Sequence, residues 1–519
     1  MHPVNHILLT TLNARYAHAS LGLRYLRANL GALRSRSAIR EFIIGQKSED
    51  IAEQILAEQP SVVGLGVYIW NVDECTQLVR LLKRLQPDLI VVLGGPEVSY
   101  ESGESEICQW ADYVISGWGD ISFADLCVQI FEGAKPESKF ILGIQPPLES
   151  LQRPYDEYTD EDVAKRYVYV EASRGCPFKC EFCLSALDKT AWPFPLDAFL
   201  DDISRLYQRG VRQFKFVDRT FNLKIDTSIR ILQFFLDKLE QSPEDPLFVH
   251  FELVPDHLPE RLREWITRFP AGTLQFEIGI QTFDPEVQQR ISRRQKNELA
   301  RANLEWLRQH TQAHLHVDLI AGLPGETVDM FARGFDQLVA LRPHEIQFGI
   351  LKRLRGAPIA RHSTEFDLRF NPAPPYNILS TRDIDFSTMQ RLSRFARYWD
   401  IIANSGRFTL SLPLLLGDTP FASFLAFSDW LYQLTGKSHA FAPERLARLL
   451  HQYIEQCRPQ QLAVFDAALQ ADHSAGGARG PLDFEAKPAG TRQNAAGATP
   501  KRQRRHLRQP GDPAAAQSG

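Results

Sequence analysis

Two successive series of short apolar runs, each run followed by a helical pattern, constrain this 519-residue chain more than any other feature. The first series comprises His6 to Thr10, Phe42 to Ile44, Ser61 to Val67, Leu89 to Leu93 and Tyr113 to Ile115. Near-continuous apolar strands alternating with helices call for a parallel sheet covered on both faces, a doubly wound, Rossmann-like α/β domain. The second series comprises Tyr167 to Val170, Gln213 to Val217, Leu247 to Phe251, Leu274 to Ile278, Leu315 to Leu319 and Ile346 to Ile350. Six strands, each with room for a helix after it, predict a (βα)6 partial barrel whose site lies at the strand C-termini.

Composition shifts mark the boundaries. The expected order is a Rossmann-like domain over 1–140, a proline-rich linker over 141–161, the partial barrel over 162–365, a helical domain over 366–470 and a disordered tail over 471–519. The aromatics Phe395, Tyr398, Trp399, Phe421, Phe424, Phe427 and Trp430 stand at helical spacing and read as core. The basic run Lys501 to His506 reads as part of a solvated tail. A net charge of -4 gives no general attraction for nucleic acid, and none is expected as a partner. The N-terminus lacks the pattern of a signal peptide and no apolar run has the length of a membrane span, so the expected location is cytoplasmic, away from membranes.

Of the 7 cysteines, Cys75, Cys108, Cys127 and Cys457 are scattered and read as small buried residues. Cys176, Cys180 and Cys183 fall on one predicted loop directly after a strand, a spacing that can wrap three corners of one cluster. Thiolates are the soft ligands iron–sulfur clusters require, and three of them leave one iron open. Structural zinc is the alternative, although it favours paired cysteine knuckles, with His250, His314 and His316 available later in the chain.

The run Arg174-Gly-Cys-Pro-Phe-Lys-Cys-Glu-Phe-Cys183 resembles the cluster-binding loop of radical S-adenosylmethionine (SAM) enzymes, and the six βα units resemble their partial barrel. The resemblance implies a 4Fe-4S cluster on Cys176, Cys180 and Cys183, binding SAM on its open iron, with one electron cleaving the sulfonium to a 5′-deoxyadenosyl radical. It implies SAM contacts from Phe182, from Asp218 in place of the family's Gly-Gly-Glu, from Glu277 and Gln281 on the fourth strand, and from the turn Gly322-Leu323-Pro324.

The first domain has no Gly-x-Gly-x-x-Gly after its first strand. It resembles instead the cobalamin-binding domain that precedes the barrel in one group of radical SAM enzymes. The matching turns imply cobalamin contacts from Asn13, Ser20, Leu21 and Gly22, from Tyr68, Trp70 and Asn71, from Gly94, Gly95, Pro96 and Glu97, and from Gly117 and Gly119. The motif Asp-x-His-x-x-Gly does not occur, and His18 reads as a packing or capping residue.

The expected activity is therefore cobalamin-dependent methyl transfer to an unactivated carbon of a small molecule, with a flavodoxin or ferredoxin as electron donor. The alternatives are another radical reaction, such as ring contraction, epimerisation or sulfur insertion, and a non-catalytic cluster-bearing redox sensor. No catalytic side chain is assigned.

Overall fold

The computed structural model describes residues 7–134, 136–188, 190–476, 482 and 501–506. The chain forms two compact units: Met1–Asp218 with Lys352–Pro358 and Asn371–Tyr376, and Arg219–Leu351 with Ile359–Phe370 and Asn377–Gly519.

In the first unit, β1 (Ile7–Asn13), β2 (Ser37–Ile43), β3 (Val62–Gly66), β4 (Ile90–Gly94), β5 (Tyr113–Ser116) and β6 (Phe140–Leu142) make one sheet in the order β2-β1-β3-β4-β5-β6. All its pairings are parallel. Alternation along β1 divides the core: Leu8 packs on one face with Cys75, Leu78 and Val79 of the helix Val72–Leu85, while Ile7 and Leu9 pack on the other with Leu23, Phe123 and Leu126. Each such fully buried aliphatic side chain contributes about 1.5–3 kcal/mol. The strand order reverses between β1 and β3, where a doubly wound sheet opens a crevice at its carboxyl edge.

The proline-rich stretch is folded. It supplies β6 and a run in which Tyr155 and Tyr158 are buried, followed by the helix Asp160–Lys165 with a capping box from Thr159. The Tyr158 hydroxyl donates to the Tyr169 carbonyl at 2.8 Å and accepts from the Tyr169 amide at 3.0 Å; Tyr155 does the same at Glu171, at 3.2 and 3.1 Å. The next strands are β7 (Val168–Val170), β8 (Ser173–Gly175), β9 (Ala191–Pro193) and β10 (Gln213–Phe216). β7 pairs in parallel with β10, and β8 pairs antiparallel with β9. The two tyrosines thus hydrogen-bond backbone groups of the β7 segment as a neighbouring strand would.

The second unit carries β11 (Phe248–Leu253), β12 (Leu274–Gln281), β13 (His314–Ala321) and β14 (Glu345–Ile350), paired consecutively in parallel. Together with β7 and β10 of the first unit, these four account for all six strands expected of the second series. Beyond β14 the chain is mainly helical, and Phe395, Trp399, Phe421 and Phe424 interlock with ring centroids 4.8–6.0 Å apart. Aromatic burial on this scale is core, as the spacing implied.

Three further expectations need correction. Cys457 is exposed at the end of the helix Pro443–Cys457, whereas Cys75, Cys108 and Cys127 are buried. The helix Leu462–Ala475 runs past the expected start of the tail because Asp472 is buried and accepts from the Leu410 and Ser411 amides at 2.9 Å. Lys501–His506 is also helical: Arg502 pairs with Glu345 at 3.1 Å and Asp400 at 2.8 Å, so that side chain is docked rather than solvated. The remaining tail residues lie outside the described residues. Among the described residues no helix is long and apolar enough to cross a membrane.

Candidate functional site

The cysteine loop leaves β8 at Gly175, whose φ is +93° and whose missing Cβ would stand 2.5 Å from the Thr190 carbonyl oxygen. Only glycine fits there. Cys176 is buried, Cys180 and Cys183 are half-buried, and none of the three is in a disulfide. The Cys183 amide donates to the Cys180 carbonyl at 3.0 Å. Lys179 folds over the loop and donates to the carbonyls of Ala186 and Asp188. Burial pushes the Cys176 thiol up to about 11, and the Cys183 and Cys180 thiols raise it further. A buried thiol held neutral in this way beside two others suits a site whose charge is balanced by iron. Cys75, Cys108 and Cys127 are packed in apolar cores, so the loop offers three thiolates, as a cluster with one open iron needs. Among the described residues no group of three His, Cys, Asp or Glu side chains, the loop cysteines included, converges closely enough to hold a single metal ion.

Asp218 stands just after β10. It is 4% exposed and accepts from the Ala172 amide at 2.9 Å and the Ser173 hydroxyl at 2.6 Å. Burial pushes its carboxyl up to about 7 against those bonds. Both its oxygens are engaged by the backbone and hydroxyl that open the cysteine loop. Phe182 is half-buried beside Cys183.

The crevice at the strand reversal holds a cavity of about 550 Å³. Of the residues expected to touch cobalamin, it is lined by Leu21 and Gly22 after β1, Tyr68 after β3, Gly94, Gly95 and Pro96 at the end of β4, and Gly117 and Gly119 after β5. Gly95 has φ +108°, and a Cβ there would meet the Val67 carbonyl at 2.5 Å. A floor of glycines with small gaps above it fits the broad flat face of a corrinoid. The far wall belongs to the cysteine loop and its flanks: Glu171, Arg174, Gly175, Leu184, Ser185 and Asp188.

The other expected contacts are engaged elsewhere. Asn13 donates to the His18 carbonyl at 3.0 Å and to Glu41 at 2.9 Å, and Ser20 caps the helix Leu21–Ala28. Asn71 donates to the Leu12 carbonyl at 3.0 Å and accepts from the Tyr68 amide at 2.8 Å. Trp70 stacks on Tyr68 at 4.5 Å and donates to the same Leu12 carbonyl. Glu97 is 4% exposed and accepts from the Tyr376 hydroxyl at 2.6 Å and the Arg355 Nε at 2.9 Å. His18 is outside the cavity lining and sits 2.5 Å from the Tyr169 hydroxyl, a packing role as expected.

In the second unit Glu277 lies 3.1 Å from His250 Nε2. Gln281 ends β12 at φ +69°, where the pairing with β13 shifts register between Gly279 and Gln281. At the following turn Gly322 has φ +89°, and a Cβ there would press on Ile378 and Met389 at 2.7 and 3.1 Å. Leu323 and Pro324 are buried. Glu252, Asp318 and Arg293 are not among the residues the motifs single out, and Arg219 enters them only as the neighbour of Asp218. Glu252 is register partner of Glu277, and Asp318 of Gly279, so three carboxylates share adjoining strands. Burial pushes Glu252 up to about 7; Arg219, 2.9 Å away, opposes the rise while Glu277 and Asp318 add to it. Arg293 donates to the Gly279 carbonyl. The signal was present: charged residues at every second position, as in His250 with Glu252 and His316 with Asp318, are foreign to a strand buried on both faces.

Comparison with known proteins gives the domain families. The B12 binding domain family matches residues 7–127, and the Radical SAM superfamily matches residues 170–338. The chain carries a B12-binding domain followed by a Radical SAM domain. Residues 364–485 match a family described as a protein of unknown function, DUF4080. An uncharacterized methyltransferase of Pyrococcus horikoshii is 28% identical over 42% of this chain and 53% of its own length. The cobalamin-dependent radical SAM methyltransferase TokK of Streptomyces tokunonensis is 25% identical over 57% of this chain and 47% of its own. The chain thus spans about half the length of these relatives. In fold it is similar to the radical SAM methyltransferase TsrM from Kitasatospora setae, solved with cobalamin and a 4Fe-4S cluster, at TM-score 0.58 and 18% identity over 72% of this chain and 82% of that one.

Proposed function

We propose that this tandem is a cobalamin-dependent radical SAM methyltransferase acting on an unactivated carbon of a small molecule. The observation that carries the reading is the shared wall: residues flanking Cys176 and Cys183 line the same cavity as the glycine floor of the B12-binding sheet. In this reading Cys176, Cys180 and Cys183 hold the cluster, and the Leu21–Gly22, Gly94–Pro96 and Gly117–Gly119 turns hold the corrinoid. When bound, the cluster supplies the electron that cleaves SAM and the corrinoid carries the methyl group.

The chain's own residues bind and orient. Asp218 fixes the loop entrance, Phe182 flanks the adenine, and Glu277, Gln281 and the Gly322-Leu323-Pro324 turn contact SAM. Glu252 and Asp318 join them as acceptors for its cationic and hydroxyl groups. Placement in the cytoplasm, with a flavodoxin or ferredoxin as electron donor, belongs to the same proposal: reduced thiols and a low-potential electron are needed together.

The test is anaerobic reconstitution with iron, sulfide, cobalamin, reductant and SAM. Methyl transfer gives S-adenosylhomocysteine as well as 5′-deoxyadenosine. Deoxyadenosine alone assigns a different radical reaction, and SAM cleavage indistinguishable between wild type and Cys176→Ala assigns a sensor.

A further inference from the structure

Arg174 stands two residues before Cys176 in β8 and also lines the corrinoid cavity. Its side chain is 20% exposed and divides between two buried acids. Nη1 donates to Asp120 at 2.9 Å, while Nη2 and Nε donate to Glu171 at 2.6 and 3.1 Å. The guanidinium lies over Tyr25 at 4.5 Å and Trp118 at 4.8 Å. Asp120 and Trp118 come from the turn after β5 that forms one cavity wall, and Tyr25 comes from the helix that forms another. Glu171 immediately follows β7. The cross-strand partner of Arg174 is Trp192, which meets Trp118 edge-on at 5.7 Å. Both members of one β8–β9 pair therefore grip the same residue of the B12-binding sheet.

A planar fork with five donors, able to stack between aromatic faces, suits this position, and lysine reproduces neither property. Asp120 lines the cavity, and its carboxylate is engaged by Arg174 of β8.

We propose that Arg174 is a positioning residue that fixes the cluster loop against the corrinoid cavity, so that the bridge Asp120–Arg174–Glu171 sets the separation and orientation of the two cofactors. It touches neither reacting atom. Its loss leaves both cofactors bound but uncouples the two uses of SAM. The inference rests on the methyltransferase reading above.

The variants are Arg174→Gln, Arg174→Lys and Asp120→Asn, the last a near-isosteric change that loosens only the arm to the B12-binding sheet. Each is reconstituted with cluster and cobalamin. Iron content and the bound-corrinoid spectrum report occupancy; the magnetic interaction between the reduced cluster and cob(II)alamin, read by electron paramagnetic resonance, reports their separation. The expected result is near-native occupancy, a weakened interaction, and a ratio of S-adenosylhomocysteine to deoxyadenosine that falls on the order of 10²-fold in Arg174→Gln, as a misplacement of about 1 Å commonly produces. Arg174→Lys restores part of the ratio. Should Arg174→Gln fail to fold, Asp120→Asn decides the matter. An unaltered magnetic interaction and ratio in the folded variants overturn the role of Arg174 and leave the methyltransferase reading standing. Wild-type protein that binds no cobalamin overturns that reading, and this inference with it.

Discussion

Glu326 permits a prediction whose size follows from the structure. It is 1% exposed, directly after the Gly322–Gly325 turn; Oε1 accepts from the Thr282 hydroxyl at 2.7 Å, and among the described residues Oε2 has no partner. Burial, with the Asp284 charge adding, pushes its carboxyl from 4.5 up to about 8. In the unfolded chain the group ionises near its ordinary value, so the proton leaves the unfolded state first. Stability is fully present below about pH 4.5 and falls as pH rises toward about 8, above which this contribution is flat. At about pH 7 the unfolded state is favoured by roughly 2.5 pH units, each worth about 1.4 kcal/mol, hence about 3 kcal/mol. Glu326→Gln keeps the carbonyl acceptor for Thr282, keeps a buried donor where the protonated acid had one, and cannot ionise. The variant should match wild type near about pH 4.5 and exceed it by about 3 kcal/mol near neutrality. Denaturant melts of both proteins across this range, followed by tryptophan fluorescence, measure the difference. A stability gap that stays constant with pH would refute the assigned burial of this carboxyl.

Gly95→Ala places a methyl group 2.5 Å from the Val67 carbonyl at a φ of +108°, and should cost about 1–3 kcal/mol in the first unit while abolishing corrinoid retention on gel filtration. Glu252→Gln removes the acid beside Arg219 and should raise the SAM concentration for half-maximal cleavage by about tenfold or more, the worth of one hydrogen bond to a charged group. Because Glu252 is pushed up to about 7, wild-type SAM affinity should rise as pH passes through that value, and the variant's should not. Cys176→Ala, Cys180→Ala and Cys183→Ala should each lose cluster iron while the cobalamin spectrum persists, since the glycine floor belongs to other segments.

Most strands and the cysteine loop were legible because their signals are local, continuous apolar runs for the first and eight consecutive positions for the second, whereas the short β6, β8 and β9 carry no such run and β2 was caught only at its end. The individual corrinoid contacts were only partly legible. A polar residue at the end of a parallel strand looks the same whether it faces a ligand or serves the fold, and the partner that decides is often remote. Glu97 meets Arg355 and Tyr376, separated from it by 258 and 279 positions. Asn13 and Asn71 bind backbone groups that no composition rule reveals. Glycines fared better, because Gly95 is demanded by sterics that hold in any surroundings.

The proline-rich stretch shows why a boundary drawn from periodicity differs from one drawn by packing. Its lack of regular spacing suggested a linker, yet Tyr155 and Tyr158 are buried, and each hydroxyl both donates to and accepts from the β7 segment. Two residues thereby serve where a neighbouring strand would, and they do so at Tyr169 and Glu171, just ahead of the cysteine loop. Glu171 is also one arm of the Arg174 bridge, so the splint and the bridge share a residue. A flexible linker would let cluster and corrinoid drift apart by several ångströms, enough to defeat a transfer that requires near contact. Under the methyltransferase reading this segment would need to be stiff, and the aromatic hydroxyls hold the edge strand without leaving any periodic trace in the sequence.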